Sequence, residues 1–394
     1  MTLNTALARP VVTSSRPSYL DILEAAWQAH LAPREPNAPT VISTFAGAGG
    51  SSLGYSMAGY REILAVEWDD NAVATFKLNF PDVPVYHGDI AKLSVEDVLS
   101  MTGLRPGELD VLDGSPPCQG FSTAGKRQLD DPRNQLFREY VRLLRGLQPR
   151  VFVMENVSGM VKGKMKLVFA EILRELKASD YKVSARLMNA MYFNVPQSRE
   201  RMIFIGVRED LGIEPSHPKA AGRPFTVRDA IPYAKSVASN NSMVSVWKDA
   251  HHSPSPTITK TVGNDKGGMI EVEVLPEMLS QNNRLTALWE KIYPGESAES
   301  VTEKGRNFNN MRKPHPDKPM FSIPKTVTNR GAFSVTHWNE KRLLAIPELK
   351  RLGSFPDDFK MIGSFADQWA RIGNSVPPLF MRSIAAHIRQ HILT

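Results

Sequence analysis

The chain contains one cysteine, Cys118, in the run LDVLDGSPPCQGFS at 109–122. A solitary thiol excludes an internal disulfide, a thiolate zinc finger and an iron–sulfur cluster, so any chemistry at this sulfur is single-thiol chemistry. The ordinary fate of a lone cysteine is burial as a small hydrophobe. The setting of Cys118 argues otherwise. Pro116 and Pro117 stiffen the approach and remove backbone donors, while Gly114 and Gly120 bracket a loop. A thiol held rigidly on a loop just past a strand is a nucleophile candidate. Two further runs carry reactive groups. PRVFVMENV (149–157) delivers Glu155 at a strand end, as a solvated acid or as a hydrogen-bonding partner for a heterocycle. NVPQSRERMIFIG (194–206) sets Arg199 and Arg201 two residues apart before an apolar strand. On an extended chain such residues point the same way, and two guanidiniums aimed at one spot suit an anion or a polarised carbonyl.

A second constellation suits a nucleoside. TVISTFAGAGGSSLG (40–54) runs from a strand into Gly47, Gly49, Gly50 and Gly54, and such glycines let the backbone turn tightly against a ligand. The dinucleotide fingerprint fails because position 52 is Ser, and no Gly-Lys-Ser/Thr follows to make a phosphate loop. Glu67 ends the next strand-like run, where a carboxylate can take both ribose hydroxyls, and Trp68 can lie on a purine face. Asp89, before Ile90, can accept from an exocyclic amine. An adenosine without a pyrophosphate fits this pattern better than a dinucleotide.

Positioning these groups requires a regular frame. Short apolar runs at 40–45, 61–67, 109–113, 149–155 and 201–207 alternate with helical stretches at 69–79, 134–147 and 165–178. That alternation predicts an α/β fold with a mostly parallel sheet covered by helices on both faces. Ligands bind beyond the carboxyl ends of such strands, where the polar and glycine-rich sequences lie. The rhythm is lost over 209–345, which is rich in Pro, Ser, Asn, Thr and Lys and reads as a second, smaller domain of irregular or β character. It returns over 346–394, where PPLFMRSIAAHIRQHIL has the spacing of an amphipathic helix closing on the core. Residues 1–39 read as an N-terminal arm with one short helix, capped by Ser18 with Asp21 three residues on.

The net charge is +7. A surplus of that size is concentrated in 304–342, where nine Lys or Arg residues face two acids, Asp317 and Glu340. A polyanionic partner is permitted by this balance, not required. No apolar run approaches the ~20 residues of a membrane helix, and no secretory signal is apparent, so a cytoplasmic protein is expected.

Taken in order, these motifs resemble the DNA (cytosine-5)-methyltransferase family of prokaryotic, restriction–modification type. FAGAGG (45–50) resembles its cofactor loop, SPPCQGFS (115–122) its nucleophile loop, and QSRER (197–201) and RLGSFPDDF (351–359) two later motifs. DPRNQLF (131–137) and GNSVPP (373–378) follow where expected. Ser43-Thr44 stands where the family often has Asp-Leu, and Ser115-Pro116 replaces a common Gly-Phe. The resemblance implies a Rossmann-like, S-adenosylmethionine-dependent catalytic domain with a target-recognition domain. It implies cofactor contacts from Phe45, Ala46, Gly47, Gly49, Gly50, Glu67, Trp68, Asp89, Ile90, Gly114, Pro116, Leu136, Asn374, Ser375 and Val376. Cys118 would attack cytosine C6, Glu155 would hold N3 and the exocyclic amine, and Arg201 would bind O2. Arg199 would support the thiol loop or a phosphate. Double-stranded DNA is the implied partner, its target base flipped out. Gln119, Ser122, Lys126, Arg127, Arg312, Lys313, Thr326 and Arg330 are the candidate DNA contacts. No metal is called for, and a monomer working beside a restriction endonuclease is expected. A transfer-RNA cytosine methyltransferase is the second reading, although the chain lacks the Cys-Phe-Thr signature usual there. A catalytically inactive DNA-binding relative is the third.

Overall fold

A computed structural model describes residues 16–117, 135–161, 165–231, 234–238, 270–274, 278, 283–301, 311–329, 332–333 and 335–394. Its centre is one sheet. The strands are β1 (Thr40–Thr44), β2 (Arg61–Glu67), β3 (Val85–His87), β4 (Val111–Gly114), β5 (Val151–Val157), β6 (Tyr181–Asn189), the short β7 (Gln197–Ser198) and β8 (Glu200–Arg208). Seven of them form the sheet in the order β3-β2-β1-β4-β5-β8-β6. The first five run parallel, and β8 is antiparallel to both β5 and β6. All five residues of β1 and the first six of β5 are buried. Strands covered on both faces read as continuous apolar runs, which is why these were visible in the sequence.

Alternate residues feed two cores. Ile42, Leu64, Leu112, Phe152 and Phe204 point to one face, with Tyr140, Leu144 and Ile172. Val41, Ala65, Val111, Val153 and Ile205 point to the other, with Leu53, Ile384 and Ile388. The helices supplying those partners are α1 (Tyr19–Leu31), α2 (Gly50–Met57), α3 (Asp70–Asn79), α4 (Val95–Thr102), α5 (Gln135–Leu147), α6 (Met165–Lys177), α7 (Val227–Ala230), α8 (Asn283–Lys291), α9 (Ile346–Leu352), α10 (Phe365–Asn374) and α11 (Pro378–His391).

The first helix begins as its sequence predicts. Ser18 accepts from the Asp21 amide and Asp21 accepts from the Ser18 amide, a complete capping box. Tyr19, Leu23, Ala26 and Trp27 then bury against the same core as α2 and α11. The amphipathic helix at the other end, α11, buries Leu379, Phe380, Ile384, Ala385 and Ile388. It approaches α2 so closely that a Cβ on Gly54 would stand 2.6 Å from the Met381 Cβ.

The described parts of 209–345 touch this frame repeatedly. Phe225, Val227, Ile231, Met278, Ile323, Val335, Leu343 and Leu344 belong to the core cluster that includes α2 and α11. Met320 and Phe321 pair in parallel with β7. A separate small cluster of Ile292, Ala298 and Met311 packs beside Trp289. No helix among the described residues is long and apolar enough to cross a membrane.

Candidate active site

The strand order reverses direction between β1 and β4, and the crevice beyond their carboxyl ends is where such sheets bind ligands. The glycine-rich turn sits there. Phe45, Gly47 and Gly49 all have positive φ (56°, 58° and 93°), a left-handed backbone that glycine adopts freely and Phe45 adopts under strain. The Ala46 amide donates to Val66 O at 3.1 Å and the Gly49 amide to Ala46 O at 3.0 Å, so the turn is tied to β2 and to itself. Gly49 is the N-cap of α2.

Glu67, at the end of β2, closes the turn from the side. Its carboxylate accepts from the amides of Gly47 (2.7 Å), Trp68 (2.9 Å) and Asp69 (3.0 Å). An ionised carboxylate has about four lone-pair sites, so capacity remains for one further donor such as a hydroxyl. Trp68 is 75% exposed, leaving its indole face open for stacking. A Cβ on Gly47 would meet nothing within 4 Å, so there is open space over the turn. Asp89 is exposed and caps the turn Ile90–Lys92 by accepting from the Ala91 amide, while Ile90 is buried. These features fit an adenosine-bearing cofactor.

The chain's last motif closes the same turn from behind. A Cβ on Gly50 would come 2.6 Å from Val376 O and 2.9 Å from the Ser375 Cβ. Asn374 is exposed, and Ser375 donates to Arg371 O at 2.7 Å. Arg371 in turn donates to Asp69 at 3.1 Å. Although partial burial opposes it, the Ala72 amide and Arg371 hold the Asp69 carboxyl below the usual range. Asp69 and Arg371, which the sequence motifs did not single out, thus lock the segment after β2 to the approach of the last motif. Leu136, at the start of α5, packs half-buried on the cluster that also holds Phe45.

The other half of the site lies at the ends of β4, β5 and β8. Because β8 is antiparallel, its amino end meets the carboxyl end of β5, with Val157 opposite Arg201. There Arg201 Nε lies 2.6 Å from Glu155 Oε1, the side chains 15% and 10% exposed. A charged pair this enclosed needs each partner to offset the other's desolvation. Arg199 is 3% exposed, and its Nη1 donates to Ser322 Oγ and Ile323 O, each at 3.4 Å. Burial, helped by the neighbouring Arg201 charge and opposed by Glu155, lowers its pKa to about 9. The two guanidiniums and the carboxylate therefore share one neighbourhood. The segment after β4 is anchored to it: Asn156 Nδ2 donates to Pro116 O at 3.0 Å. Pro116 is buried, and Gly114 sits where a side chain would strike Thr44 and Tyr140. Cys118 itself, with Gln119, Ser122, Lys126, Arg127 and Arg330, lies outside the described residues.

The basic stretch is not one uniform surface. Lys313 is 5% exposed; its Nζ donates to Trp289 O at 2.9 Å and sits 3.4 Å from the Trp289 ring centroid. Its ammonium is directed at the Trp289 carbonyl and indole. Arg342 is 2% exposed and is held at both Nη atoms by Glu348, each at 2.8 Å, and by Glu340 at 2.7 Å. Arg312, Lys325 and Thr326 are exposed. Among the described residues, no group of three or more His, Cys, Asp or Glu is placed to hold a metal ion.

A buried acid beneath the turn gives a stability prediction. Glu62 on β2 accepts from Ser52 Oγ at 2.9 Å, while its Oε2 is buried without a partner. Burial pushes its pKa from 4.5 up to about 8, with the Ser43 and Ser52 hydroxyls opposing. Between those values the unfolded chain is ionised and binds fewer protons than the folded one, so stability falls as pH rises through the window. Glu62→Gln removes that titration. Its stability advantage over the wild type should grow between pH 5 and pH 8, by on the order of 3 kcal/mol. Parallel pH profiles in thermal melts would contradict this.

A mostly parallel sheet with a glycine-rich turn at its reversal point and a carboxylate ending the next strand is a Rossmann-like architecture. The chain belongs to the C-5 cytosine-specific DNA methylase family, whose model matches residues 39–390, and it is a DNA cytosine-5 methyltransferase. It is 36% identical over 353 residues to the Type II methyltransferase M1.HphI of Haemophilus parahaemolyticus, covering 88% of this chain and 85% of that one. It is 31% identical over 368 residues to M.NgoPII of Neisseria gonorrhoeae, covering 91% and 97%. Among solved structures it is similar to a putative DNA modification methyltransferase encoded within an Escherichia coli prophage. That match has a TM-score of 0.69 and 24% identity, covering 91% of this chain and all of that one. It is also similar to Spodoptera frugiperda DNMT2, with a TM-score of 0.60 and 17% identity, covering 91% and 100%. At those identities the structural likeness speaks for the fold alone.

Proposed function

We propose that this enzyme transfers a methyl group from S-adenosylmethionine to C5 of a cytosine flipped out of double-stranded DNA, through a transient bond between Cys118 and C6. The observation that carries the reading is the enclosed Glu155–Arg201 pair at the carboxyl end of β5, beside the Asn156–Pro116 hydrogen bond that fixes the start of the thiol loop. Cytosine C5 is a weak nucleophile. Adding a thiolate at C6 pushes electron density toward C5. When bound, S-adenosylmethionine supplies an electrophilic methyl group. Glu155 holds N3 and the exocyclic amine, and Arg201 meets the charge that develops on O2. Loss of H5 then returns the electron pair to the ring and expels the Cys118 thiolate. Arg199, buried against Ser322 and Ile323, supports the Arg201 end of the site from within and takes no DNA phosphate. The turn 45–50 would hold the cofactor, with Glu67 available to its ribose, Trp68, Asp89 and Ile90 to its adenine, and Asn374, Ser375 and Val376 closing the pocket.

Residues 40–208 with 346–394 form the catalytic lobe in this proposal, and 209–345 read the DNA sequence. Arg312 and Thr326 remain candidate contacts among the described residues. Since relatives such as M1.HphI are Type II methyltransferases, a cognate endonuclease and monomeric action are part of the proposal.

Incubating the full chain with S-adenosylmethionine carrying a labelled methyl group, and with duplex DNA or transfer RNA, tests the reading. Label should appear in DNA as 5-methylcytosine at one short sequence. Duplex DNA carrying 5-fluorocytosine at that sequence should form a denaturant-resistant complex, because fluorine cannot leave as H5 does. Label confined to transfer RNA, or labelled DNA with no trapped complex, would overturn the substrate or the mechanism respectively.

A further inference from the structure

Residues 16–31 precede the stretch 39–390 that is common to the family, yet they touch both places where 209–345 joins the catalytic lobe. On the way out, the Arg16 guanidinium lies 3.9 Å from the Phe225 ring centroid. Its Nη2 donates to Asn194 Oδ1 at 2.8 Å and its Nη1 to the Arg223 carbonyl. The Tyr19 ring also packs on Phe225, with centroids 5.4 Å apart. On the return, the Tyr19 hydroxyl donates to the carbonyl of Arg351 in the last turn of α9. Tyr19 is 1% exposed, so this contact is sealed from water. Arg351 reaches back to the outward stretch: its Nη1 donates to Ala230 O, the end of α7, at 3.4 Å. Its Nε and Nη2 hold Asp357 at 2.8 and 2.6 Å. One side chain, Tyr19, therefore meets both crossings, the first with its ring and the second with its hydroxyl.

The outward crossing leads directly into the region behind it. The Val227 amide donates to Lys318 O at 3.0 Å and the Arg228 amide to Pro316 O at 2.8 Å. Arg228 Nε pairs with Asp317 at 2.7 Å. Residues 316–318 stand in the chain between Arg312 and Thr326, the two described candidate DNA contacts. A displacement of α7 is thus passed to the backbone between them. The far end of α1 holds something else. His30 Nδ1 lies 2.6 Å from Ser56 Oγ in the last turn of α2, and the His30 ring stands edge-on to Phe80 at 5.5 Å.

We propose that Arg16 and Tyr19 are positioning residues for DNA reading: they clamp the outward and return crossings together and so fix how 209–345 is presented to the duplex. This rests on the assignment of DNA reading to 209–345 made above. Contacts to base edges depend on such placement, because a hydrogen bond moved out of range is lost, whereas contacts to the phosphate backbone carry no sequence information. The clamp should therefore act on sequence discrimination more than on affinity for DNA at large.

The target sequence is found by mapping the cytosines that the wild type methylates in genomic DNA. The ratio of kcat/KM on a duplex carrying that sequence to kcat/KM on a duplex with one flanking base pair changed then measures discrimination. Tyr19→Phe keeps the ring on Phe225 and removes the bond to Arg351; Arg16→Ala removes the guanidinium from Phe225 and Asn194. In the full chain each should lower the ratio by about threefold, and the double variant by about tenfold. Affinity for S-adenosylmethionine and for duplex lacking the target sequence should stay within about twofold of wild type. His30→Ala, at the other end of the same helix, is the control. It should lower the melting temperature and leave the ratio unchanged, as a purely structural helix would do throughout. An unchanged ratio in the double variant, or an equal fall in His30→Ala, would overturn the clamp while DNA reading by 209–345 stands. Weaker binding of non-target duplex by Arg16→Ala would overturn it too, by making Arg16 a DNA contact. A wild type that methylates all duplexes alike would overturn both. Arg16 is exposed, so Arg16→Ala alone decides the matter should Tyr19→Phe fail to fold.

Discussion

Cys118→Ala should abolish methyl transfer to DNA, with a loss of about 10⁴-fold or more, since a weak carbon nucleophile is left without covalent activation. The methyl side chain of alanine is smaller than the thiol and carries no charge. Binding of duplex DNA in a gel-shift assay should therefore stay within a few-fold of wild type, and cofactor binding should be unchanged. Labelled-methyl transfer measured in parallel separates the two effects. Turnover near the wild-type rate would remove Cys118 from the mechanism, whatever the family resemblance.

The second large effect is expected at the enclosed Glu155–Arg201 pair. Glu155→Gln should lower transfer by about 10²–10⁴-fold, the range for losing a positioned proton-handling group. Arg201→Ala should do comparable damage and also destabilise the fold by about 3–5 kcal/mol, because it strands the Glu155 carboxylate without its partner in an enclosed site. The two losses should not add. Once one partner is gone, the other has little left to contribute, so the double variant should be close to the worse single variant. Single-turnover rates and urea melts on all three proteins provide the comparison. Strict additivity in both would mean that the two side chains act separately, against the 2.6 Å contact between them.

How far the sequence could be read depended on what each residue faced. β1, β5 and β8 were legible because both of their faces are covered, which writes a β-branched run in β1 and apolar runs in β5 and β8. β6 was not, because it is an edge strand in which Tyr181 and Met188 alone are fully buried, so its alternation is blurred. α4 buries only Val98 and leaves little periodic trace. Ser18 and Asp21 announced α1 because a cap is a local device. The site divides in the same manner. The turn, Glu67 and the two arginines were found as local motifs. The pairing of Glu155 with Arg201 was not, since it depends on an antiparallel register between strands distant in sequence. Counting cations over 304–342 could not reveal that Lys313 lies against an indole or that Arg342 is enclosed by two glutamates. Charge is additive in a sequence; exposure is not.

The contact between α2 and α11 reaches into how the protein is made. A ribosome releases α2 roughly 300 residues ahead of α11, the helix that covers it, and domains otherwise tend to fold as they emerge. Until then Leu53 and Met57 wait without Met381 and Ile384, and Tyr60 waits for the Ala385 carbonyl it binds at 3.0 Å. The packing around α2 is thus completed last although α2 is synthesised early. A truncated transcript or a stalled translation complex would yield a chain with an open apolar seam, material for chaperones and proteases and not a partially active methylase.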